Sequence, residues 1–215
     1  MNLPRLTASQ FERFSKFIYQ QSGIRIDEKK LTLLSNRIRR RLQAGDFPNF
    51  DAYYTFLTSK AGLSELEGFL DAITTNETFF FRTPKHFDWL ATDLLNEVTE
   101  EHRAGRRPAS LRIWSAACAT GAEPYSVAIN LLENSFRLRD WSLRILATDI
   151  SEEALREARE GAFRPRAVEA VTEQQLRRFF QRNPGEKTWR VRPAVQELVE
   201  FRRHNLMQPL VDGPF

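Results

Sequence analysis

The residues with most to offer chemically lie in two short stretches, Ser115–Gly121 and Ala147–Asp149. The first is a run of small residues that follows an apolar segment, Leu111–Trp114, and leads into a helical pattern. Small side chains at the end of a buried strand let backbone N–H groups approach a nucleotide-type ligand closely. The run has Gly121 as its one glycine and lacks the G-x-G-x-x-G spacing, so an ordinary strand–helix connection fits it equally well.

Asp149 supplies the acidic group that a nucleotide-type site requires. It ends a second apolar segment, Leu143–Thr148, and a carboxylate at the tip of the second strand accepts hydrogen bonds from both hydroxyls of a ribose. Taken alone, Asp149 is equally consistent with the start of a helix. Together with the turn at Gly121, the ribose-binding interpretation is the stronger one.

A third stretch, Thr74–Pro84, is crowded with polar and aromatic residues and contains three consecutive phenylalanines. A turn followed by aromatic core residues explains most of it. It does not explain Arg82, because a guanidinium beside an aromatic cluster is expected to pair with a carboxylate or to stack on a ring. Thr83 and Pro84 then predict the cap and first residue of a helix.

The spacing of apolar residues predicts the elements that position these groups. Strands are expected at Leu111–Ala116 and Leu143–Thr148, and helices at Pro84–Arg103, Pro124–Phe136 and Glu152–Glu160. The alternation of strand and helix after residue 110 indicates a parallel sheet covered by helices. Two short strands, Trp189–Val191 and Val199–Phe201, are expected to pair in antiparallel fashion after a turn at Asn183–Lys187.

The first 75 residues or so show helical patterns only. Thr7 and Gln10 fit a capping box, and Gly23 fits the end of that helix. A second helix, capped by Asp27, has a core stripe and stops near Gly45; the stripe consists of Leu31, Leu34, Ile38 and Leu42. A further helix is expected to be capped at Ser64.

The outer side of the second helix is strongly basic. Residues 1–60 hold 11 Lys or Arg against 5 Asp or Glu, whereas the whole chain has a net charge of +4. The basic side chains are Lys30, Arg37, Arg40 and Arg41. A solvated helix face explains them, and a docking surface for an acidic partner is the functional alternative. Nucleic acid is disfavoured, since no aromatic residues are interleaved with these cations.

Composition excludes several classes of protein. An apolar content of 41% with 17 Phe is typical of a globular protein, and the N-terminus lacks the pattern of a secretion signal. The three histidines show no ligand spacing with each other or with the one cysteine, so no metal site is expected. Cys118 is interpreted as a small buried residue, not a nucleophile. One cysteine fits a reducing compartment.

Four motifs, in this order, resemble those of the CheR family of chemotaxis protein-glutamate O-methyltransferases. They are Thr74-Thr-Asn-Glu-Thr with Phe80-Phe81-Arg82, then Ile113-Trp-Ser-Ala-Ala-Cys-Ala-Thr-Gly-Ala-Glu-Pro-Tyr-Ser126, then Ala147-Thr-Asp149-Ile150, then Asn205-Leu206. The similarity runs through essentially the whole chain. It implies an α/β fold: a Rossmann-like methyltransferase sheet, preceded by a small all-helical domain.

The resemblance also implies a cofactor, S-adenosylmethionine, with S-adenosylhomocysteine as its product. The implied cofactor-binding residues are Asn76, Thr78, Arg82, Ala117, Gly121, Glu123, Asp149, Asn205 and Leu206, with Asp149 on the ribose side and Asn205-Leu206 flanking the adenine. Arg82 is the candidate catalytic residue, which orients the substrate carboxylate or contacts the cofactor beside it. Phe79 and Ala122 depart from residues common in the family, and neither change removes a group assigned to binding.

The implied organisation is a helical domain at 1–83, a linker helix and hinge at 84–108, and a methyltransferase domain at 109–215 with a small β-subdomain near 183–202. The implied partners of Lys30, Arg37, Arg40 and Arg41 are the glutamate-rich methylation helices of a chemoreceptor. A cytoplasmic monomer is expected, without nucleic acid or membrane insertion. The short turn at Asn183–Lys187 favours an enzyme that does not tether to a receptor's C-terminal peptide.

One departure concerns the end of the chain. In the family, further strands follow the position of Gly213–Phe215, and their absence predicts weak or no activity for a 215-residue chain. Two other hypotheses stay open: a non-catalytic module that senses S-adenosylmethionine or its product and docks on receptors, and a nucleic-acid methyltransferase guided by the face at Arg37–Arg41.

Overall fold

The computed structural model describes residues 5–211, 213 and 215, and the chain divides into two compact units. The helical unit comprises Met1–Thr75, Ile150–Glu152 and Asn205–Leu210, and the sheet unit comprises Asn76–Asp149, Glu153–His204 and Val211–Phe215. The parts of the predicted domains 1–83 and 109–215 that fall on residues 1–4, 212 and 214 lie outside the described residues. Within the described ranges, no helix has the length and apolar character needed to cross a membrane.

Four helices build the first unit, and they are α1 Ala8–Ser22, α2 Leu31–Ala44, α3 Phe50–Leu57 and α4 Leu63–Ile73. The predicted capping box at Thr7 and Gln10 is confirmed, as is Gly23, whose φ of 72° ends α1. Asp27 is a cap as predicted, but it caps a 3-10 turn, Glu28–Lys30, that continues into α2. The cap predicted at Ser64 is wrong, because a second 3-10 turn, Lys60–Gly62, runs directly into α4 and leaves no break for a side-chain cap.

An ion pair on the inner side of α2 joins this helix to α4. Arg41 donates two hydrogen bonds to the Glu65 carboxylate, at 2.8 and 2.6 Å, and the Tyr53 hydroxyl donates a third at 2.7 Å. Gly68 makes room for the guanidinium, since a Cβ there would lie 2.8 Å from Arg41 Nη2. Of the predicted core residues of α2, Leu34, Ile38 and Leu42 are buried as expected, whereas Leu31 is half-buried.

The sheet unit contains the remaining helices and strands, apart from Glu152, the first residue of α8, which belongs to the helical unit. In chain order they are α5 Pro84–Trp89, a π-helical turn Leu90–Leu94, α6 Leu95–Arg103, β1 Ser110–Ala116, α7 Ala122–Glu133, β2 Ser142–Asp149, α8 Glu152–Glu160, β3 Ala162–Phe163, α9 Glu173–Phe179, β4 Phe180–Asn183, β5 Thr188–Val191, α10 Pro193–Gln196 and β6 Val199–Arg203. The predicted parallel sheet is confirmed: its strands lie in the order β1-β2-β6, and both pairings are parallel.

The antiparallel pair predicted from Trp189–Val191 and Val199–Phe201 is wrong. β5 pairs instead with β3 and β4 in a separate antiparallel sheet, and β6 joins β2 in parallel, with Ile145 opposite Val199 and Ala147 opposite Phe201. The physical reason is the intervening helix α10, because a connection that contains a helix is too long for a hairpin turn and carries the chain from one sheet to the other. β6 thereby sets its apolar residues against the main core.

Helices α5 and α6 contribute their apolar sides to the core of the sheet unit. Phe87, Leu90, Leu95 and Val98 all belong to one buried cluster with residues of β1 and α7. We therefore propose that the segment 84–108 is part of the sheet domain and not a separate linker. We also propose that the domain boundary lies between Thr75 and Asn76, in place of the one predicted after Thr83.

The substitution Glu65→Gln is expected to lower the free energy of unfolding by about 2 kcal/mol at pH 7, because Arg41 loses its charged partner and Tyr53 loses a charged acceptor. Burial by itself raises the pKa of Glu65, but the hydrogen bonds from Arg41 and Tyr53 outweigh it and the net pKa is lowered. The stabilisation is therefore complete above the ordinary glutamate pKa and is lost as the pH falls through the lowered value.

Urea denaturation followed by circular dichroism measures this difference. The gap between wild type and Glu65→Gln should shrink as the pH falls from 7 towards 3. Glu12→Gln, on the exposed side of α1, is the matched control and should change little at either pH. A gap that stays constant with pH would show that the charge on Glu65 does not stabilise the unit.

Candidate functional site

In the turn between β1 and α7, the backbone adopts a conformation that is rare for residues other than glycine. Ala117 has a φ of 58° and Ala119 a φ of 49°, and Gly121 follows with a φ of 89°. Left-handed backbone at a residue with a Cβ costs about 1–3 kcal/mol and persists where its surroundings enforce it. The two alanines therefore occupy positions where glycine would be relaxed, and other contacts must hold them there.

Asp149 holds this turn. Its carboxylate Oδ2 accepts a hydrogen bond from the Ala119 N–H at 2.8 Å, and the neighbouring Thr148 carbonyl accepts one from the Cys118 N–H at 2.9 Å. The parallel register sets Ala116 opposite Thr148, so the turn and Asp149 emerge side by side at the same edge of the sheet. Asp149 is buried, with 7% of its surface exposed. The carboxylate thus lies at the strand tip where the sequence predicts a ribose-binding group.

Gly121 serves packing as well as the turn. A Cβ at this position would lie 2.9 Å from the Cβ of Ala158 in α8 and 3.2 Å from the Phe201 ring. Since real Cβ atoms do not approach other atoms so closely, any larger residue would push α7 away from α8 and β6. The single glycine of the turn is therefore required both by its positive φ and by this close approach.

Glu123 provides a second carboxylate next to the turn, in the first turn of α7. The buried Ser115 hydroxyl donates a hydrogen bond to its Oε1 at 2.6 Å, which fixes an otherwise exposed side chain. An acidic group at a helix N-terminus is also stabilised by the helix dipole. With Asp149, it gives the turn two negative charges, which favour a ligand that carries hydroxyl donors or a positive charge.

Cys118 is buried in the turn with 2% of its surface exposed. Burial, with the nearby negative charge of Asp149, raises the pKa of the thiol to about 12. A thiol with such a pKa is protonated at neutral pH and is a poor nucleophile. The interpretation of Cys118 as a small buried residue is confirmed.

The segment that contains Asn76, Thr78 and Arg82 is tied to α7. The Phe81 N–H donates a hydrogen bond to Ser126 Oγ at 3.0 Å, and the Ser126 hydroxyl donates to the Ala122 carbonyl at 2.7 Å. Ser126 lies one helical turn after Glu123, so this bond brings the segment alongside the first turn of α7. Asn76 and Thr78 are half-buried.

The three phenylalanines before Arg82 differ in their surroundings. Phe80 is fully buried against Phe163 and Phe180, with ring centroids 4.8 and 5.1 Å away, whereas Phe79 is 40% exposed. The Arg82 guanidinium lies 5.7 Å from the centroid of the Phe79 ring and donates a long hydrogen bond of 3.5 Å to the Glu77 carbonyl. As expected from the sequence, Arg82 stacks on a ring, and it remains exposed to solvent.

Asn205 and Leu206 belong to the helical unit. The Asn205 side-chain amide donates a hydrogen bond to the Gln21 carbonyl at 2.7 Å and its oxygen accepts one from the Met207 N–H at 3.0 Å. Leu206 is 53% exposed. Their position beside an adenine stays a prediction.

The four basic residues of the predicted docking face fall into two pairs. Lys30 and Arg40 are exposed. Arg37 is half-buried and donates hydrogen bonds to the Ile73 carbonyl and, at 2.9 Å, to the Thr75 hydroxyl; burial and the charge of Arg40 lower its pKa. Arg41 is held by Glu65, as described above. The charge available to a partner is therefore greatest at Lys30 and Arg40.

Three hydroxyl residues that support the site were missed in the sequence. Ser115 orients Glu123, Ser126 binds Phe81, and Thr148 Oγ1 accepts a hydrogen bond from Trp114 Nε1 at 2.9 Å. All three are buried. The signal that would have found them is a hydroxyl residue at an otherwise apolar position of a buried strand or helix, since such groups need a partner.

These groups fit S-adenosylmethionine. A buried carboxylate at a strand tip accepts from ribose hydroxyls, a turn of small residues leaves space beside the backbone, and two carboxylates suit a cofactor that carries an ammonium and a sulfonium charge. No cluster of three or more His, Cys, Asp or Glu able to hold a metal ion occurs in the part of the chain that the structure describes.

Comparison with known proteins agrees with this geometry. Residues 76–215 match the family description "CheR methyltransferase, SAM binding domain", and residues 9–74 match "CheR methyltransferase, all-alpha domain". The chain is 37% identical over 214 residues to the chemotaxis protein methyltransferase of Salmonella typhimurium, covering 98% of this chain and 70% of that protein.

Other relatives give similar values. The chemotaxis protein methyltransferase of Escherichia coli is 37% identical over 98% of this chain and 71% of its own length. Chemotaxis protein methyltransferase 2 of Pseudomonas aeruginosa is 37% identical over 94% of this chain and 69% of its own length. Both parts of the chain are thus accounted for, and the chain belongs to the CheR family of S-adenosylmethionine-dependent methyltransferases.

Proposed function

We propose that this protein transfers a methyl group from S-adenosylmethionine to glutamate side chains of methyl-accepting chemoreceptors, which gives glutamyl methyl esters and S-adenosylhomocysteine. The observation that carries the proposal is the strained Ala117–Gly121 turn held by the Asp149 carboxylate. Its geometry supports a ribose-type site in a chain whose relatives are chemotaxis methyltransferases. The glutamate substrate is the one that membership of the family implies.

Residues from several parts of the chain would hold the cofactor. Asp149 would accept hydrogen bonds from the ribose hydroxyls, Glu123 would offset the positive charge of the cofactor, and Asn76 and Thr78 would line the site. The small residues Ala117 and Gly121 would leave space for the cofactor beside the backbone of the turn. Asn205 and Leu206 would flank the adenine. When bound, S-adenosylmethionine supplies an electrophilic methyl group on its sulfonium sulfur.

The protein's own residues need not remove a proton from the substrate. A glutamate side chain is ionised at neutral pH and its carboxylate is already a nucleophile, so no general base is required. Catalysis then consists of orienting the carboxylate and excluding water from it. Arg82 suits the orienting role because its guanidinium is exposed, held over the Phe79 ring, and able to donate two hydrogen bonds to a carboxylate.

The basic face of α2 would bind the receptor. Methylation helices rich in glutamate are acidic, and opposite charges steer association. Lys30 and Arg40 would make the main contacts because they are exposed, while Arg37 and Arg41 would add positive charge from half-buried positions. We place the enzyme in the cytoplasm, since a single buried cysteine fits a reducing compartment, and we expect it to be a monomer.

Incubation of the full-length protein, with the strands that follow residue 215 in the family, with methyl-labelled cofactor and a receptor methylation fragment is expected to label the fragment. Mild base should release this label as methanol, because carboxyl methyl esters hydrolyse there and N-methyl groups do not. Counting volatile label after base treatment measures the reaction. A receptor fragment whose glutamates are replaced by alanine is the control and should stay unlabelled.

Two other results would contradict the proposed function. Cofactor binding without label in any substrate would favour a non-catalytic sensing module. Base-stable label on RNA would identify a nucleic-acid methyltransferase instead.

The substitution Asp149→Asn is expected to weaken S-adenosylhomocysteine binding at least tenfold, since hydrogen bonds to a charged acceptor contribute about 1.5–3 kcal/mol. Asparagine keeps an oxygen that can accept from Ala119, so the loss reports the charge and not collapse of the turn. Isothermal titration calorimetry measures it. Asp140→Asn, in the loop before β2 at the opposite end of the sheet, is the control. Equal affinity of Asp149→Asn and wild type would refute the ribose role.

A further inference from the structure

An open groove of about 570 Å³ lies in the sheet unit beside the segment that carries Arg82. Residues on one wall include Glu77, Thr78 and Phe79, and those on the other include Arg164, Arg166 and Glu169. Its volume is in the range of sites that enclose several side chains or a small ligand. Thr78 is assigned to the cofactor, but the arginines and glutamates of this groove have no role in the functions assigned above.

The two walls are fixed relative to each other. The Phe80 N–H donates a hydrogen bond to the Ala167 carbonyl at 2.9 Å, and Phe80 itself is fully buried. The second wall is a 3-10 turn, Pro165–Val168, whose Val168 is anchored in the core. The groove is therefore a preformed feature and does not depend on flexible side chains alone.

The charged side chains in the groove form only weak interactions with one another. Arg166 pairs with Glu77 at 3.4 Å, but the two side chains are 86% and 72% exposed, and such exposed pairs contribute little to stability. Among the described residues, the Arg164 side chain has no ion pair or hydrogen bond, and it is exposed. Arg82 adds a third guanidinium at the Phe79 end.

The groove also adjoins the proposed reaction centre. Thr78 lines it and is one of the residues that we assign to the cofactor, and Arg82 stacks on Phe79, which lines it too. A protein segment in the groove would consequently pass close to the carboxylate that is methylated.

We propose that this groove docks the acidic segment of the substrate protein on either side of the target glutamate, and this inference rests on the function proposed above. Arg164 and Arg166 contact carboxylates of that segment, and the exposed ring of Phe79 contacts its apolar side chains. The surface is separate from the basic face of α2 and would set which glutamates are chosen.

The mixture of charges identifies the class of occupant. Glu77 and Glu169 lie among the arginines and would repel the uniform negative charge of a nucleic-acid backbone. An amphipathic helix that carries separated carboxylates and neutral amides can meet the arginines and avoid the glutamates. The 40% exposed Phe79 suits the apolar side of such a helix.

Calorimetric titration with a glutamate-rich helical peptide from a receptor methylation region tests the proposal. The double variant Arg164→Glu/Arg166→Glu is expected to bind this peptide about tenfold more weakly at 0.1 M salt, because two exposed attractions become repulsions. Its affinity for S-adenosylhomocysteine should stay within about twofold of wild type. A peptide with the flanking glutamates replaced by lysine should bind the double variant better than the wild-type protein.

Arg139→Glu is the matched control, since it reverses an exposed charge in the loop before β2. It should leave both affinities unchanged. If the double variant does not fold, Arg166→Glu alone keeps the test decisive, as its side chain is 86% exposed.

Wild-type affinity of the double variant for the acidic peptide would overturn the proposal, as would an equal loss in Arg139→Glu. A loss of RNA binding with unchanged peptide binding would overturn it in favour of another class of partner. The proposed function fails separately. A full-length wild-type protein that binds the peptide through Arg164 and Arg166 but forms no base-labile ester would refute the reaction and would not affect the docking site.

Discussion

The hydrogen bond from the Ala119 N–H to the Asp149 carboxylate is the contact on which the site depends. Ala117 and Ala119 both have positive φ, a conformation that costs about 1–3 kcal/mol at each residue. A hydrogen bond to a buried charged acceptor contributes a comparable amount, about 1.5–3 kcal/mol, and can offset the strain at one of them. The parallel pairing of β1 with β2 makes this bond available, since it places the two strand ends side by side. The fold and the site are thus joined through one carboxylate.

Buried hydroxyl groups extend this order to the rim of the site. Ser115 fixes the Glu123 side chain, and Ser126 fixes the backbone at Phe81, directly before Arg82. Because both serines lie in elements of the main core, the groups that we assign to cofactor and substrate are positioned by the same packing that stabilises the sheet unit. Arg82 is the exception, since among the described residues its guanidinium contacts the Phe79 ring and donates one long hydrogen bond, and nothing else is seen to hold it. That freedom suits a residue that must reach for a substrate carboxylate.

Much of this arrangement could be predicted from the sequence, because it depends on local patterns. The strand ends, the turn at Gly121, Asp149 and the caps at Thr7 and Asp27 all follow from residues close together in the chain. The pairing of β6 with β2 could not be predicted, since a short apolar stretch carries no information on which distant strand it pairs with. Nor could charge alone show that Arg41 pairs with Glu65, 24 residues away, while Arg40 stays exposed.

Hydrogen–deuterium exchange with and without S-adenosylhomocysteine tests the central claim most directly. If Asp149 and the strained turn form the cofactor site, the amides of residues 117–123 and 149–151 should exchange more slowly in the presence of ligand, as should those of residues 76–82. The helices α9 and α10, which carry no assigned contact, should exchange at the same rate in both states. Ligand binding that leaves the 117–123 amides unchanged and protects another region would contradict the account.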